Sequence, residues 1–250
     1  MTEDAAIAGL SAHQLLAANA AVLAAATVQF ITGSGFGILA APFLLLVSAQ
    51  FLPGPLLVVT LVVMLLSLMQ DRIRRVDFTL GPAAALGVPG ALLGVWLSTV
   101  TDAAVLGVVI GVSILSVSVS ALSGRALRQT PTTLTVAGGV GGVLAGLAAT
   151  PGPPVVVVYR NDDARHYRGN LSLYFLIVCV ASIVVLLAGQ GAIGSDQMML
   201  GGAVLLPGVL LGVLLARPLR TRVPTGVLRP CSLALSGAAG VIVLVGAVTG

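Results

Sequence analysis

Charge is what this chain lacks. Only 8% of its 250 residues are charged, whereas a soluble domain carries about 25% because its surface must face water. Lysine is absent, and the twelve basic residues are all arginine. So little charge cannot coat a sphere of this size, which excludes an ordinary soluble fold. Aromatic residues are scarce at 4%. The two cysteines, Cys179 inside an apolar run and Cys231 at the start of another, exclude a disulfide framework.

Signatures of soluble enzymes are also missing. There is no HExxH, no GxSxG and no Walker loop. Ser34 in "TGSGF" lacks the spacing of a nucleophile elbow. The two histidines, His13 and His166, read as polar residues near a membrane face. Every Asp and Glu lies outside the apolar runs, so no intramembrane proton carrier is expected. The chain therefore reads as a non-enzyme with no catalytic residue, no metal and no cofactor.

What is present is hydrocarbon. Hydrophobic residues make up 58% of the chain and the mean hydropathy is +1.12. Long apolar runs with short charged punctuation are the pattern of a polytopic α-helical membrane protein. A net charge of +4 raises the question of nucleic acid. That reading fails, because the arginines sit in four short clusters between apolar runs. The opening "MTEDAAIAGL" has Glu3 and Asp4 where a signal peptide would place a base, so the first run is expected to be retained.

The apolar runs fall at 12–34, 36–50, 53–70, 79–100, 103–123, 133–149, 151–159, 171–189, 198–216 and 231–249. A full span needs about 20 residues. The runs 36–50 and 151–159 are too short. The stretch 133–159 is therefore expected to be a broken or re-entrant hairpin turning at "AATPGPPVV", with "TGSGFGILAAP" as the equivalent turn in the first half. This divides the chain into a short acidic segment (1–11), a first membrane repeat (12–123), a cytoplasmic linker (124–132) and a second membrane repeat (133–250).

Sidedness follows from arginine. If the loop holding Arg72, Arg74 and Arg75 is cytoplasmic, alternation of the runs also places Arg125, Arg128, Arg160, Arg165, Arg168, Arg217, Arg220, Arg222 and Arg229 inside. Glu3, Asp4, Asp102 and Asp196 remain outside, as do both termini. This is the positive-inside pattern.

The sequence also repeats itself. "PGALLGVWL" (89–97) and "PGVLLGVLL" (207–215) agree at seven of nine positions. They occupy the fourth and ninth runs, so the repeat is five segments long, and an odd number inverts the second copy in the membrane. "STVTD" follows the first copy and "ARPLRTR" the second, in keeping with opposite faces. Inverted-topology repeats are a common blueprint of secondary transporters.

The two turns carry the strongest local signal. "GSGFG" (33–37) followed by Pro42, and "TPGPP" (150–154), interrupt apolar runs with residues that permit unusual φ or remove a backbone donor. In lipid such a break is tolerated only where it is buried in protein or lines a polar cavity. Freed amides at a half-helix start attract an anion, and Thr32, Ser34 and Thr150 add hydroxyls. By contrast, Gly90/Gly94, Gly107/Gly111, Gly142/Gly146 and Gly208/Gly212 have GxxxG spacing and read as packing. Ser113, Ser116 and Ser120 read as packing too. The segment "RNDDARHYRGNLSLYF" (160–175) reads as a solvated loop, with Arg168, Asn170 and Tyr174 placed to meet an anion at a helix start.

The segments "TGSGFGILAAPFLLLV", "VDF", "PGALLGVWL", "GGVLAGLAATPGPPVVVVY", "RGNLSLYFL" and "PGVLLGVLLARPL" together resemble the sulfite exporter TauE/SafE family, also called the toluene sulfonate uptake permease family. The resemblance runs from about residue 20 to 249. It implies an inner-membrane protein with duplicated halves that moves sulfite, sulfonates or related organic anions. It implicates Gly33, Gly35, Gly37 and Pro42 in the first half, and Thr150, Gly152, Pro153 and Pro154 in the second. Where the family often has three consecutive glycines, this chain has Gly35-Phe36-Gly37.

The reading is thus an all-α integral membrane protein of two inverted halves, permeating a small anion in the lipid bilayer. Expected substrate contacts are Thr32, Gly33, Ser34, Gly35, Gly37, Pro42, Thr150, Gly152, Pro153, Pro154, Arg168 and Asn170. A homo-oligomer is compatible with it, and nucleic acid is not a partner. Two rivals are a non-transporting scaffold or sensor partner, and an intramembrane enzyme, against which the missing catalytic constellation argues.

Overall fold

The computed structural model describes residues 10–71, 76–122, 128–189, 192–222, 237–238, 240–242 and 244–246. Among them the chain is helical, with no strand: α1 (Ala12–Thr32), α2 (Phe36–Val47), α3 (Gly54–Asp71), α4 (Gly81–Val100), α5 (Ala103–Leu122), α6 (Pro131–Ala148), α7 (Gly152–Val158), α8 (Ala164–Gly189), α9 (Ala192–Ala203) and α10 (Leu206–Arg222). Among the described residues, six apolar helical stretches are long enough to cross a membrane: Ala12–Thr32, Gly54–Asp71, Phe78–Val100, Pro131–Ala148, Ala164–Gly189 and Asp196–Leu219. Helices α2 and α7 are too short to do so. Glu3, Asp4, Arg72, Arg74, Arg75, Arg125, Arg229, Cys231 and much of the run 231–249 lie outside the described residues.

Helix ends follow local chemistry. Ser11 and Gln14 form a reciprocal capping box at the start of α1, and Thr130 and Thr133 do the same for α6, where Pro131 takes the first turn. Both helices stop in the left-handed region, α1 at Gly33 (φ 81°) and α6 at Ala149 (φ 54°). This conformation closes off the last carbonyls. The Gly33 amide donates to the Gln29 carbonyl at 2.7 Å, and the Ala149 amide to the Ala145 carbonyl at 2.8 Å. A short helix then leaves each turn, α2 after the first and α7 after the second.

The run 198–216 is interrupted. Helix α9 ends at Ala203 and α10 begins at Leu206, beside Pro207. The Asn19 side chain from α1 fills the gap. It donates to the Val204 carbonyl at 2.9 Å and accepts from the Gly208 amide at 2.8 Å. Those two groups are the i and i+4 partners of an ordinary helix, so one carboxamide replaces the missing rung. In lipid no water is available to do this.

The tightest packing is backbone on backbone. Helix α4 lies along α6 and α10 lies along α1. A side chain at Gly90 or Gly94 would strike the α6 backbone at Gly139 or Val143, and one at Gly142 or Gly146 would strike α4 at Gly87 or Ala91. In the second copy of the repeated motif, Gly208 and Gly212 face the α1 backbone at Asn19 and Leu23. Lipid tails are as apolar as the helices, so close approach and van der Waals contact, not hydrophobic burial, hold such pairs together. Further contacts join α4 to α8, α9 to α3, α1 to α2 and α6 to α7. The outward faces remain apolar: Trp96, Val184 and Leu210 are each more than half exposed, as a lipid-facing surface requires.

These contacts set two graded effects. Asn19→Leu leaves one carbonyl and one amide unmet at the α9–α10 break and is expected to lower stability by about 1–3 kcal/mol, measured by thermal unfolding in detergent. Gly94→Leu drives a side chain into the Val143 carbonyl, and loss of the monodisperse gel-filtration peak is expected. A normal peak would show that α4 and α6 do not pack this closely.

Candidate functional site

The first turn is built by its own polar atoms. The Thr32 hydroxyl donates to the Ser34 carbonyl (2.6 Å) and accepts from the Ser34 amide (3.3 Å), so it ties the bend together. Gly33 and Gly35 both have positive φ, 81° and 114°, which glycine alone adopts freely. The first rung of α2 is the Leu39 amide to the Gly35 carbonyl, 2.9 Å. The amides of Phe36, Gly37 and Ile38 therefore stand ahead of the helical ladder. That of Phe36 is met from outside: the Gln29 side-chain oxygen, on α1, accepts it at 3.1 Å.

The second turn has fewer donors. Pro151, Pro153 and Pro154 carry no amide hydrogen, so Gly152 contributes the amide that opens α7. The Thr150 amide donates to the Leu144 carbonyl at 3.1 Å, and Thr150 is buried.

The two turns meet. A side chain on Gly37 would come within 2.9 Å of the Ala149 carbonyl oxygen and 3.1 Å of Thr150 Cα, so the two breaks touch backbone to backbone. Beside this contact lies a crevice lined by Gln29, Gly35, Gly37, Thr60, Pro151 and Gly152, with Phe36, Ile38, Met64 and Phe175 as its apolar walls. It has room for about one water molecule. No charged side chain lines it among the described residues. Its polar content is backbone, the Thr60 hydroxyl and the Gln29 carboxamide. Among the described residues the Gln29 nitrogen has only the Met64 sulfur for an acceptor, at 3.9 Å, in a residue that is 1% exposed.

A profile describing the sulfite exporter TauE/SafE family matches residues 18–243, nearly the whole chain. The chain belongs to that family. It is a multi-pass membrane protein of a transporter family. Comparison with curated proteins and with solved structures returned no match.

The remaining expected contacts of this TauE/SafE protein are distributed differently. Pro42 is buried inside α2, beyond the turn, and is not among the residues lining the crevice. Pro153 and Pro154 occupy the first turn of α7, where a missing amide does not interrupt the ladder. Arg168 reaches Asp71, the last residue of α3. Its Nε lies 3.2 and 3.3 Å from the two carboxylate oxygens and a terminal nitrogen lies 3.0 Å from one of them. Both side chains are largely buried, at 13% and 6% exposure. The aliphatic stem of Arg168 lies across Gly33, where any side chain would collide with it. Asn170 is buried and serves the mouth of the bundle: it accepts the Asp77 amide at 2.7 Å and donates to the His166 carbonyl at 2.9 Å. Tyr174 donates to the Gly138 carbonyl at 2.7 Å.

Asp77 gathers the rest of that mouth. Its carboxylate accepts from the Thr79 hydroxyl (2.6 Å), the Thr79 amide (3.0 Å) and the Tyr159 hydroxyl (2.8 Å). Burial pushes its pKa up, but the hydrogen bonds from Thr79, Tyr159 and Asn161 outweigh that and hold it below the ordinary value. Tyr159 in turn stacks on Tyr167, with centroids 5.6 Å apart.

Gln29, Asn19 and Asp71 escape a reading based on turns alone. The signal for Gln29 and Asn19 is in the sequence, since a carboxamide inside an apolar run needs a partner. Asp71 sits one residue past its run, so only packing discloses its burial.

Removing one partner of a buried ion pair costs about 3–5 kcal/mol, because the other charge is stranded, whereas replacing both is often neutral. Asp71→Asn is therefore expected to be strongly destabilised in detergent, and Asp71→Asn with Arg168→Met to recover most of the loss. Equal instability of the single and double variants would mean the pair is not the buried unit described.

Proposed function

We propose that this protein is a permease for a small, singly charged sulfur oxyanion such as hydrogensulfite or an organosulfonate, held where the two broken turns meet. The observation that carries this reading is the contact of Gly37 with Ala149 and Thr150 beside a polar crevice without charge. Family membership supports the cargo class. The crevice supports the charge. Hydration energy rises with the square of charge, and a site of amide dipoles and neutral side chains offers no cation to offset the loss for a dianion. At its present size the crevice does not admit an oxyanion, so loading requires α2 and α7 to part.

The two halves are proposed to be inverted repeats, with α1 to α3 matching α6 to α8 and α4 matching α9 with α10. The packing pattern supports this, because it survives the exchange. The α4–α6 pair becomes α10–α1, α4–α8 becomes α9–α3, and α1–α2 becomes α6–α7. The two copies of the glycine motif have the same task, each laying its helix on the first helix of the opposite half.

Flux into proteoliposomes tests the cargo. Methanesulfonate and sulfate are similar in size and differ by one charge, so methanesulfonate is expected to enter at least about ten-fold faster, a difference of only about 1.4 kcal/mol. Gly37→Leu, which wedges the turns apart, is expected to abolish that flux in protein that still elutes as a single species. Faster sulfate flux, or normal flux in the variant, would overturn the site.

Orientation has its own test. The arginine-rich loops are proposed to be cytoplasmic. In a background lacking Cys179 and Cys231, cysteines at Asp102 and Asp196 are expected to react with an impermeant maleimide in intact cells, and one at Arg125 to be protected. The opposite pattern would invert the protein.

A further inference from the structure

A polar track leads away from the crevice. On α3, Thr60, Met64, Ser67 and Asp71 are spaced by four, three and four residues, which places them on one stripe of the helix. On α8, Arg168, Ser172 and Phe175 follow the same rule with the order reversed. The two helices pack together, and their register is pinned at both ends. Asp71 bonds Arg168 at the mouth, and Met64 and Phe175 both line the crevice. Ser67 lies one turn below Asp71 and Ser172 one turn below Arg168, at the same level between those ends.

Both serines are buried, Ser67 at 4% and Ser172 at 0% exposure. Neither hydroxyl has a hydrogen-bond partner among the described residues. This is unusual for a helical hydroxyl, which can turn back onto the carbonyl four residues earlier. Thr60 does so on α3, bonding Leu56 at 2.7 Å, and Ser182 does so on α8, bonding Val178 at 2.9 Å. An unmet buried hydroxyl is unfavourable, and alanine would fill the same space without that loss. Packing therefore does not account for two of them at one level of one interface.

We propose, resting on the anion-permease reading, that the α3–α8 seam is the route between the crevice and the arginine-rich mouth, and that the Ser67 and Ser172 hydroxyls are a transit site for the oxyanion. Both hydroxyls donate to the passing anion, which has acceptor oxygens and no donor of its own in the sulfonate case. The Asp71–Arg168 pair closes the outer end. An anion arriving from below competes with Asp71 for the guanidinium, whose fork matches a sulfonate as it matches a carboxylate.

Two measurements test the route. In the double variant Ser67→Ala with Ser172→Ala, methanesulfonate flux per folded protein is expected to fall about five-fold or more, the worth of one hydrogen bond, while the melting temperature stays level or rises. A purely structural role predicts the reverse. Second, Ser67→Cys and Ser172→Cys, each in the background lacking Cys179 and Cys231, are expected to react with a sulfonate-bearing methanethiosulfonate added from the arginine-rich side, and excess methanesulfonate should slow the reaction. Val184→Cys, on the lipid face, should stay inert. Unchanged flux in the alanine variant together with unreactive thiols would show that the seam is sealed and overturn the route, while wild-type flux in the same vesicles reports separately on the permease reading. Absence of wild-type flux would count against the permease itself, and thiol reactivity would still report on the seam.

Discussion

A backbone amide or carbonyl released inside a bilayer has no water to turn to, and among the described residues this chain breaks its helices after α1, after α6 and between α9 and α10. Much of the interior is organised around meeting that demand. The Gln29 carboxamide takes the Phe36 amide at the first break. The second reduces the demand, because its prolines have no amide to satisfy. Asn19 supplies both halves of the missing rung at the third. The first and third solutions tie α1 to α2 and to the α9–α10 break, so breaks that weaken individual helices also direct tertiary assembly.

The same constraint explains how the crevice between the turns is polar without charge. Breaking α1 and α6 in the left-handed region turns the chain within three residues, and the short helices α2 and α7 then start deep in the protein. Their first amides stand outside any helical ladder. Because Gly37 has no side chain, the second turn can rest directly on the first, bringing both sets of backbone dipoles to one crevice. Glycine works the other way in α4, α6 and α10. There it closes space, letting helix backbones touch and leaving no route between them. The polar crevice lies instead where the two broken turns meet.

The largely buried ion pair lies at the mouth. Asp71 and Arg168 neutralise each other where the seam ends, and Asp77, Asn170, Tyr159 and Asn161 form a hydrogen-bonded cluster around the start of α4 and α8. The stem of Arg168 lies on Gly33, so the ion pair also touches the first broken turn.

The chain's own composition decided that it would enter a membrane as helices, since runs of about 20 apolar residues leave the backbone no other way to satisfy itself. Local chemistry also determined where the helices would fail: the Gly-Ser-Gly bend and the Thr-Pro-Gly-Pro-Pro turn act through φ and missing donors, which are properties of neighbours in sequence. The repeated glycine motif was legible as a contact surface for the same reason. What only the tertiary structure decided is which groups answer one another across the fold. Arg168 was visible as a cation near a helix start, but its partner is 97 residues away in sequence. Gln29 was one polar residue in an apolar run until α2 folded back and offered it the Phe36 amide. Ser67 and Ser172 were two unremarked serines until α3 and α8 packed in one register. Those relationships depend on helix packing over long sequence distances, where the determining energies are shape and contact between segments, and no local rule of spacing contains them.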